Sequence, residues 1–216
     1  MYYFCEKKQK MRKIRFVLLF LLPLTLFAQE YNQTDSKGRR QGPWMDFYSN
    51  GQKRYEGQFK NDFCVGEFKY YDEQGRLKAT NTFDKSGTRA LNKSYASNGT
   101  LIATGYYVNQ KKEGEWRYFS KDNGVLILVE ENRDGKVHGT SKVYYETGML
   151  MTECQYENGL REGPAKTFYP SGALKEEGAF LHGEKTGIWK TYNEDGDVIS
   201  TENYTVPEGM APLRPE

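Results

Sequence analysis

Glycine recurs along this chain at a nearly fixed interval of 24 residues, with a single step of 25. The recurring glycines are Gly51, Gly75, Gly99, Gly124, Gly148, Gly172 and Gly196. An aromatic residue precedes each of them by four or five positions. A second glycine opens every unit except the third, where Ala90 takes its place. A period sustained over seven units indicates a repeat array, in which each unit buries surface only against its neighbours.

Each unit contains two segments rich in β-branched and aromatic residues, separated by a turn that contains glycine. In the unit from 163 to 187, the turn is Pro170-Ser171-Gly172. Turns such as Asp134-Gly135, Asn158-Gly159 and His182-Gly183 join one unit to the next. Two short strands joined by such a turn form a β-hairpin. The sequence therefore predicts an all-β fold, an elongated open antiparallel sheet of repeated β-hairpins with seven units of about 24 residues.

Alternation along the strands predicts which side chains share a face of the sheet. Counted from the turn glycine, the second residue is usually leucine, the sixth is often small and the eighth is usually aromatic, so these positions should form one ladder. A large side chain stands two residues after the opening glycine in several units. If the hairpins stack in register, these residues cover the small positions, and they are Trp44, Phe68, Trp116 and Trp189.

The third and fourth units depart from the repeat pattern. The third unit lacks the opening glycine and has Asn92 where other units have a large aromatic residue. The fourth unit has the extra residue and an apolar run from 125 to 129. This run is apolar on both faces, which a better-buried central strand would explain. Coverage by the array's own curvature, by a second copy or by a partner is the alternative.

Residues 1–28 have the features of a secretory signal peptide. A basic segment that starts at Met11, the expected start of translation, precedes a short apolar run, and Ala28 offers a cleavage site. The chain is therefore expected to be exported, as a periplasmic, outer-membrane-associated or secreted protein, with a retained anchor as the alternative. We expect a polar lead-in at 29–41, the repeat array at 42–204 and a disordered tail at 205–216.

Charge argues against nucleic acid as a partner. The formal net charge of the whole chain is +2. Removal of residues 1–28 takes away six basic residues and one acidic residue, which leaves 25 basic and 28 acidic residues. Proteins that bind nucleic acid need clustered positive charge to neutralise phosphates, and the expected mature chain lacks it.

The sequence offers little for catalysis or metal binding. It contains two histidines, and His182 stands at a turn position that Asn158 fills in another unit. Cys64 and Cys154 are four repeats apart, too far for a disulfide in a linear array, and Cys154 is expected to be a small buried filler. No hydrolase, phosphate-binding or metal motif occurs. We therefore predict a protein that is not an enzyme and that has no cofactor and no metal.

The repeat units resemble a known family. The segments Gly114-Glu115-Trp116-Arg117-Tyr118-Phe119 and Gly42-Pro43-Trp44-Met45-Asp46-Phe47-Tyr48-Ser49-Asn50-Gly51 are similar to the bacterial MORN-repeat variant, which also occurs in proteins of the YwqK antitoxin type. The resemblance covers residues 42–204 and implies an open β-hairpin array used for contacts with proteins or membrane surfaces. It brings no catalytic residues with it.

Two function classes and a third alternative follow. The first is an exported, non-enzymatic repeat scaffold that mediates protein–protein interaction in the cell envelope. The second is a module that binds glycans or lipid headgroups, and the third is a neutralising protein of the antitoxin or immunity type. The candidate contact residues are Trp44, Phe68, Trp116, Trp189, Tyr145 and Tyr169. Packing in the core is the simpler interpretation of the same aromatic residues.

Overall fold

The computed structural model describes residues 30–205, which form 15 β-strands and no helix. The strands pair in sequence order into one antiparallel sheet. They are β1 (Gln33–Thr34), β2 (Arg40–Phe47), β3 (Lys53–Lys60), β4 (Phe63–Tyr71), β5 (Leu77–Phe83), β6 (Arg89–Tyr95), β7 (Leu101–Val108), β8 (Lys111–Phe119), β9 (Leu126–Arg133), β10 (Lys136–Tyr144), β11 (Leu150–Glu157), β12 (Leu160–Phe168), β13 (Leu174–Leu181), β14 (Glu184–Tyr192) and β15 (Val198–Tyr204). The predicted open sheet of seven hairpins is confirmed, from β2–β3 to β14–β15.

Three of the predicted segments lie wholly or partly outside residues 30–205. The signal peptide predicted at 1–28 lies outside the described residues, as does the tail predicted at 205–216 except for its first residue. The polar lead-in at 29–41 contains β1, which pairs through Gln33 and Thr34 with the start of β2. Residues 30–205 contain no helix long and apolar enough to cross a membrane.

Two kinds of turn define the two edges of the sheet. Along the glycine-turn edge, each hairpin closes on a periodic glycine with positive φ, as at Gly172, whose N–H donates to the Tyr169 carbonyl at 2.9 Å. Along the opposite edge, which we call the two-residue-turn edge, five of the six connections between units are turns of two residues that both have positive φ, the geometry of a type I′ turn. These turns are Asn61-Asp62, Asn109-Gln110, Asp134-Gly135, Asn158-Gly159 and His182-Gly183. His182 is confirmed as a turn residue.

Bulges recur with the same period as the glycines. In all seven hairpins the register shifts next to the aromatic residue that precedes the glycine turn, as between Asp46 and Phe47. A second bulge lies between units, where opening glycines such as Gly66 and Gly114 have φ of +67° and +68°. Five of the six pairs between units have this second bulge, and only β5–β6 lacks it.

The first of these bulges corrects the predicted ladder of side chains. A bulge adds one residue to one strand and so breaks the alternation of faces beyond it. In the first unit Lys53 Nζ lies 2.6 Å from Glu56 Oε2, although the alternation placed these two residues on opposite faces. Arg54 instead pairs with Asp46. The prediction that the second position continues the ladder of small and aromatic positions is therefore wrong in this unit, and the same bulge occurs in every other hairpin.

Large aromatic side chains fill the spaces left by glycines on the preceding strand. A Cβ added to Gly57, Gly105 or Gly178 would overlap with the ring of Phe68, Trp116 or Trp189 respectively. The predicted coverage of the small positions is thus confirmed for these three pairs. Where the fifth unit meets the sixth, Cys154 on β11 stands in the glycine position and Ala165 on β12 in the aromatic position. Both are buried, which confirms Cys154 as a small filler.

The apolar run at the start of β9 is not a deeply buried strand. All five residues from 125 to 129 are only half-buried in the described structure. Burial in the centre of the sheet therefore does not account for the run. Its apolar character on both faces leaves the alternative, which is coverage by the array's own curvature, by a second copy or by a partner.

Candidate functional site

Three of the six predicted contact residues belong to the core of the array. Phe68 and Trp116 are each 2% exposed and Trp189 is 6% exposed. The indole N–H of Trp116 donates to the Tyr106 carbonyl at 3.0 Å, and that of Trp189 donates to the Ala179 carbonyl at 3.1 Å. A partner laid on the sheet would not reach these rings, so their burial favours core packing over direct contact.

The other three predicted residues are half-buried and have structural bonds of their own. Trp44 donates its indole N–H to the Gln33 carbonyl at 3.2 Å and lines a small cavity of about 220 Å³ with Tyr31 and Lys69. The hydroxyls of Tyr145 and Tyr169 donate to carbonyls of the following unit, at 2.7 and 2.8 Å. The structure therefore does not bring the six residues together into one site.

A different and larger hollow opens where the third unit departs from the repeat pattern. We call this hollow the groove. Its cavity volume is about 850 Å³, within the range of pockets that hold a ligand of drug size. Its floor is made of small or amide side chains on β5 and β6, whereas four other units have a large ring at the position of Asn92. The floor residues are Ala79, Asn81, Ala90, Asn92 and Ser94.

The groove exists because the third unit exchanges a bulge for a longer turn. Phe83 and Ala90 are seven residues apart, as are Phe59 and Gly66 in the unit before. Ala90 does not adopt the positive φ of the opening glycines, and β5–β6 has no bulge. The residues released from the bulge extend the connecting turn, in which the Asp84 N–H donates to the Arg89 carbonyl at 2.9 Å.

The floor is organised by a chain of hydrogen bonds. Ser94 Oγ donates to Asn92 Oδ1 at 2.9 Å, and Asn92 Nδ2 donates to Asn81 Oδ1 at 2.7 Å. Tyr70 also lines the groove, and burial raises the pKa of its hydroxyl and keeps it protonated. Asn92 is only 5% exposed, so these bonds offset the cost of burying its amide.

Aromatic walls flank this floor and rest on buried rings. Phe83 on one side packs edge-on against Phe68, with ring centroids 5.4 Å apart. Tyr107 on the other side packs edge-on against Trp116, with centroids 4.9 Å apart. Phe68 and Trp116, two of the predicted contact residues, therefore hold the wall residues in place. Rings held in this way present a fixed shape to a ligand.

The charge of the groove is positive and is confined to the glycine-turn edge. Arg54 and Lys78 line this end, and Arg54 is paired with Asp46. The described residues that line the groove include neither a carboxylate nor a histidine. No group of three or more metal-binding side chains was found within residues 30–205. The arrangement is suited to stacking, hydrogen bonding and charge attraction.

Some residues of the groove stand out in the sequence, but the sequence alone does not show that they lie together. The pairing register of the strands is needed for that. Ala90 and Asn92 stand out as departures from the pattern, whereas Asn81 and Ser94 attract no notice on their own. Pairing places Asn81 directly opposite Asn92, and Ala79 opposite Ser94. Only this pairing shows that these four residues share one patch.

Comparison with known families identifies the repeat. The model of the MORN repeat variant matches residues 40–61, 137–158, 161–182 and 185–205. These segments belong to the first, fifth, sixth and seventh units. A search of curated proteins found no match. Most of the groove lies between the first and second matched segments, in a part of the chain that the family model does not match.

Proposed function

We propose that this chain, which contains four MORN-variant repeats, is an exported, non-enzymatic scaffold that binds another protein in the cell envelope. Repeats of this kind suggest a binding scaffold, because a linear sheet offers a long surface and no enclosed reaction site. Beyond a binding scaffold, the proposal states that the chain is exported and that its partner is a protein. Export is supported by the basic and apolar segments of residues 1–28.

One observation carries the binding role, namely the groove. Three other units fill the corresponding space with a large ring over a glycine, and the third unit leaves it open. Its floor and walls are already fixed by hydrogen bonds and by ring packing. A preorganised hollow with aromatic walls has the composition that dominates protein-binding hot spots.

The proposal is tested by crosslinking in cells with a variant that fills the groove. Tyr70 and Tyr118 occupy the same repeat position as Ser94, so Ser94→Tyr introduces a side chain that other units accommodate. Thr167→Tyr makes the same change in the sixth unit, away from the groove, and is the matched control. The tagged chain is crosslinked and isolated from the envelope fraction, and partners are identified by mass spectrometry.

We expect one dominant stoichiometric protein with the wild-type chain and the Thr167→Tyr chain, and its loss with Ser94→Tyr. Substitution of Trp116 or Trp189 is a poor test, because these rings are core residues. Recovery of no protein above background would refute the scaffold. A partner that proves toxic when expressed alone would instead support a neutralising role.

A glycan-binding module is the second candidate function. The observation in its favour is the combination of amide and hydroxyl groups on the floor with Tyr70 and Tyr107 on the walls. Sugar hydroxyls bond to such groups, and sugar rings pack on aromatic faces. Saturable binding to an immobilised polysaccharide, lost with Ser94→Tyr and retained with Thr167→Tyr, would favour this candidate over a protein partner.

A further inference from the structure

The groove is a channel that runs along the strands across the width of the sheet. At the glycine-turn edge it begins beside Tyr71 and Lys78, and at the other edge it ends beside Gly87 and Asn109. Strand β5 lies along the floor and has seven residues. At a rise of about 3.3 Å per residue, this length is roughly 23 Å. An extended chain of six or seven residues has the same length.

The occupant of the channel has to be recognised by side chains. Strand β5 is paired on both sides, with β4 and β6, and β6 is paired with β5 and β7. The backbone of the floor is therefore engaged within the sheet and cannot add another strand. Asn81 and Asn109 instead line the channel with side-chain amides. The buried Asn92, which is bonded to Asn81 and Ser94, holds the Asn81 amide in place. Each amide has a donor and an acceptor side by side, which matches the N–H and C=O groups of a peptide backbone.

Charge gives the channel a direction. Lys78 lies at the glycine-turn end, and no ion-pair partner is found for it among residues 30–205. Arg54 at the same end is paired with Asp46. The opposite end is lined by neutral groups, among them Thr88 and Gln110. An anionic group on the occupant is therefore favoured at the Lys78 end alone.

We propose that the groove binds an extended segment of the partner protein, six or seven residues long, with a carboxylate placed against Lys78. This inference rests on the proposed function and names the part of the partner that is recognised. The carboxylate belongs either to an Asp or Glu side chain or to the C-terminus of the partner. A neutral or basic segment would leave Lys78 without a partner and bind more weakly.

The test uses two soluble libraries of random heptapeptides, one with free C-termini and one with amidated C-termini. Each library is passed over the immobilised full-length chain, and retained peptides are sequenced by mass spectrometry. Dissociation constants of retained peptides are then measured by fluorescence anisotropy. An acidic residue at a fixed position in both libraries would identify a side-chain carboxylate, and recovery from the free library alone would identify a C-terminal carboxylate.

Charge reversal with a matched control decides the role of Lys78. Lys175 occupies the same repeat position in the sixth unit and lies away from the groove. We expect Lys78→Glu to weaken binding of the retained peptides at least tenfold, Lys175→Glu to change it less than twofold, and Ser94→Tyr to abolish it. Circular dichroism of each variant confirms that the sheet is intact.

Two outcomes would overturn the inference, and they differ from failure of the scaffold. Equal binding by the wild-type and Lys78→Glu chains would exclude the carboxylate contact. Recovery of no peptide, together with polysaccharide binding that Ser94→Tyr abolishes, would assign the groove to a glycan. In either case a protein partner captured in cells and unaffected by Ser94→Tyr would leave the scaffold function standing at another surface.

Discussion

At the scale of single residues, the array is held together by large rings that occupy the space beside glycines on the preceding strand. Trp116 over Gly105 and Trp189 over Gly178 follow this rule. Cys154 and Ala165 fill the corresponding space in another way, because Cys154 is larger than the glycine that it replaces and Ala165 is smaller than the aromatic residue that it replaces. Because interiors are closely packed, the two positions of a pair should be coupled in energy.

The coupling predicts a non-additive double-mutant cycle at Gly178 and Trp189. Gly178→Ala should destabilise the fold by about 1–3 kcal/mol, because the added methyl overlaps with the indole. Trp189→Ala should cost about 3–5 kcal/mol through the cavity that it leaves. In the double variant the methyl enters the vacated space, so its cost should be at least about 1 kcal/mol below the sum. Urea unfolding of the four chains measures this difference, and strict additivity would contradict the packing rule.

A second residue-scale prediction concerns alkaline pH. Burial and a hydrogen bond to Glu56 raise the pKa of Tyr71 to about 12, from an ordinary value of 10.0. The folded chain therefore holds this proton more tightly than the unfolded chain does. The resulting stabilisation is complete below pH 10 and is lost as the pH rises from 10 to 12. Glu56 has the opposite dependence, because hydrogen bonds from Lys53 and Tyr71 lower its pKa, so its contribution is lost at acid pH.

Unfolding midpoints measured from about pH 8 to about pH 12 test the alkaline part. Tyr71→Phe should reduce the loss of stability above pH 10. Tyr95→Phe is the matched control, because Thr80 stands at the position that corresponds to Glu56. An equal effect of both substitutions would show that the Glu56 contact does not cause the dependence.

At the scale of elements, the turns determine how strands follow one another. Type I′ turns require positive φ at both central residues, which glycine adopts at little cost. Asn158-Gly159 meets this requirement with a glycine, whereas Asn109-Gln110 places a glutamine at φ +66°. The second turn therefore retains strain that the first one avoids.

This strain predicts that Gln110→Gly stabilises the chain by about 1 kcal/mol. Asp62→Gly makes the same change in the first connecting turn, but Asp62 Oδ1 accepts a hydrogen bond from the Arg40 N–H at 3.0 Å. The lost bond should cancel the backbone gain there. Urea unfolding of both variants checks the pair, and a lower midpoint for Gln110→Gly would refute the argument.

The sequence predicts the hairpins well and the bulges poorly, for a physical reason. Periodic glycines at turns are visible because few other residues adopt positive φ. The exchange of bulge for turn in the third unit is invisible, since the seven-residue spacing of Phe83 and Ala90 is unchanged. The face of the second position was predicted incorrectly for a related reason, because alternation does not reveal where a bulge interrupts it. The groove depends on the missing bulge in the third unit and on the faces that the other bulges set, so composition alone did not predict it.

At the scale of the whole molecule, β5–β6 is one of three connections between units that lack a large ring over a glycine, and it is the one that opens into the groove. Strand β6 carries no large buried ring, and the buried residues that it contributes are Ala90 and Asn92. The units on either side are joined by Phe68 over Gly57 and by Trp116 over Gly105. In a linear array each interface contributes separately to stability. The β5–β6 interface, which is open at the groove, should therefore be weaker than the ring-filled interfaces β3–β4 and β7–β8.

Native-state hydrogen exchange should locate this weak interface. We expect amides shared by β5 and β6 to exchange about tenfold faster than those shared by β3 and β4 or by β7 and β8, a difference of about 1.4 kcal/mol in opening free energy. The flanking pairs are the internal control, because they have the same length of pairing and a buried ring at the interface. A peptide bound in the groove should slow exchange at β5–β6 more than elsewhere. Exchange that simply rises toward both ends of the array would instead mean that the Asn81–Asn92 hydrogen bond replaces the lost ring packing in full.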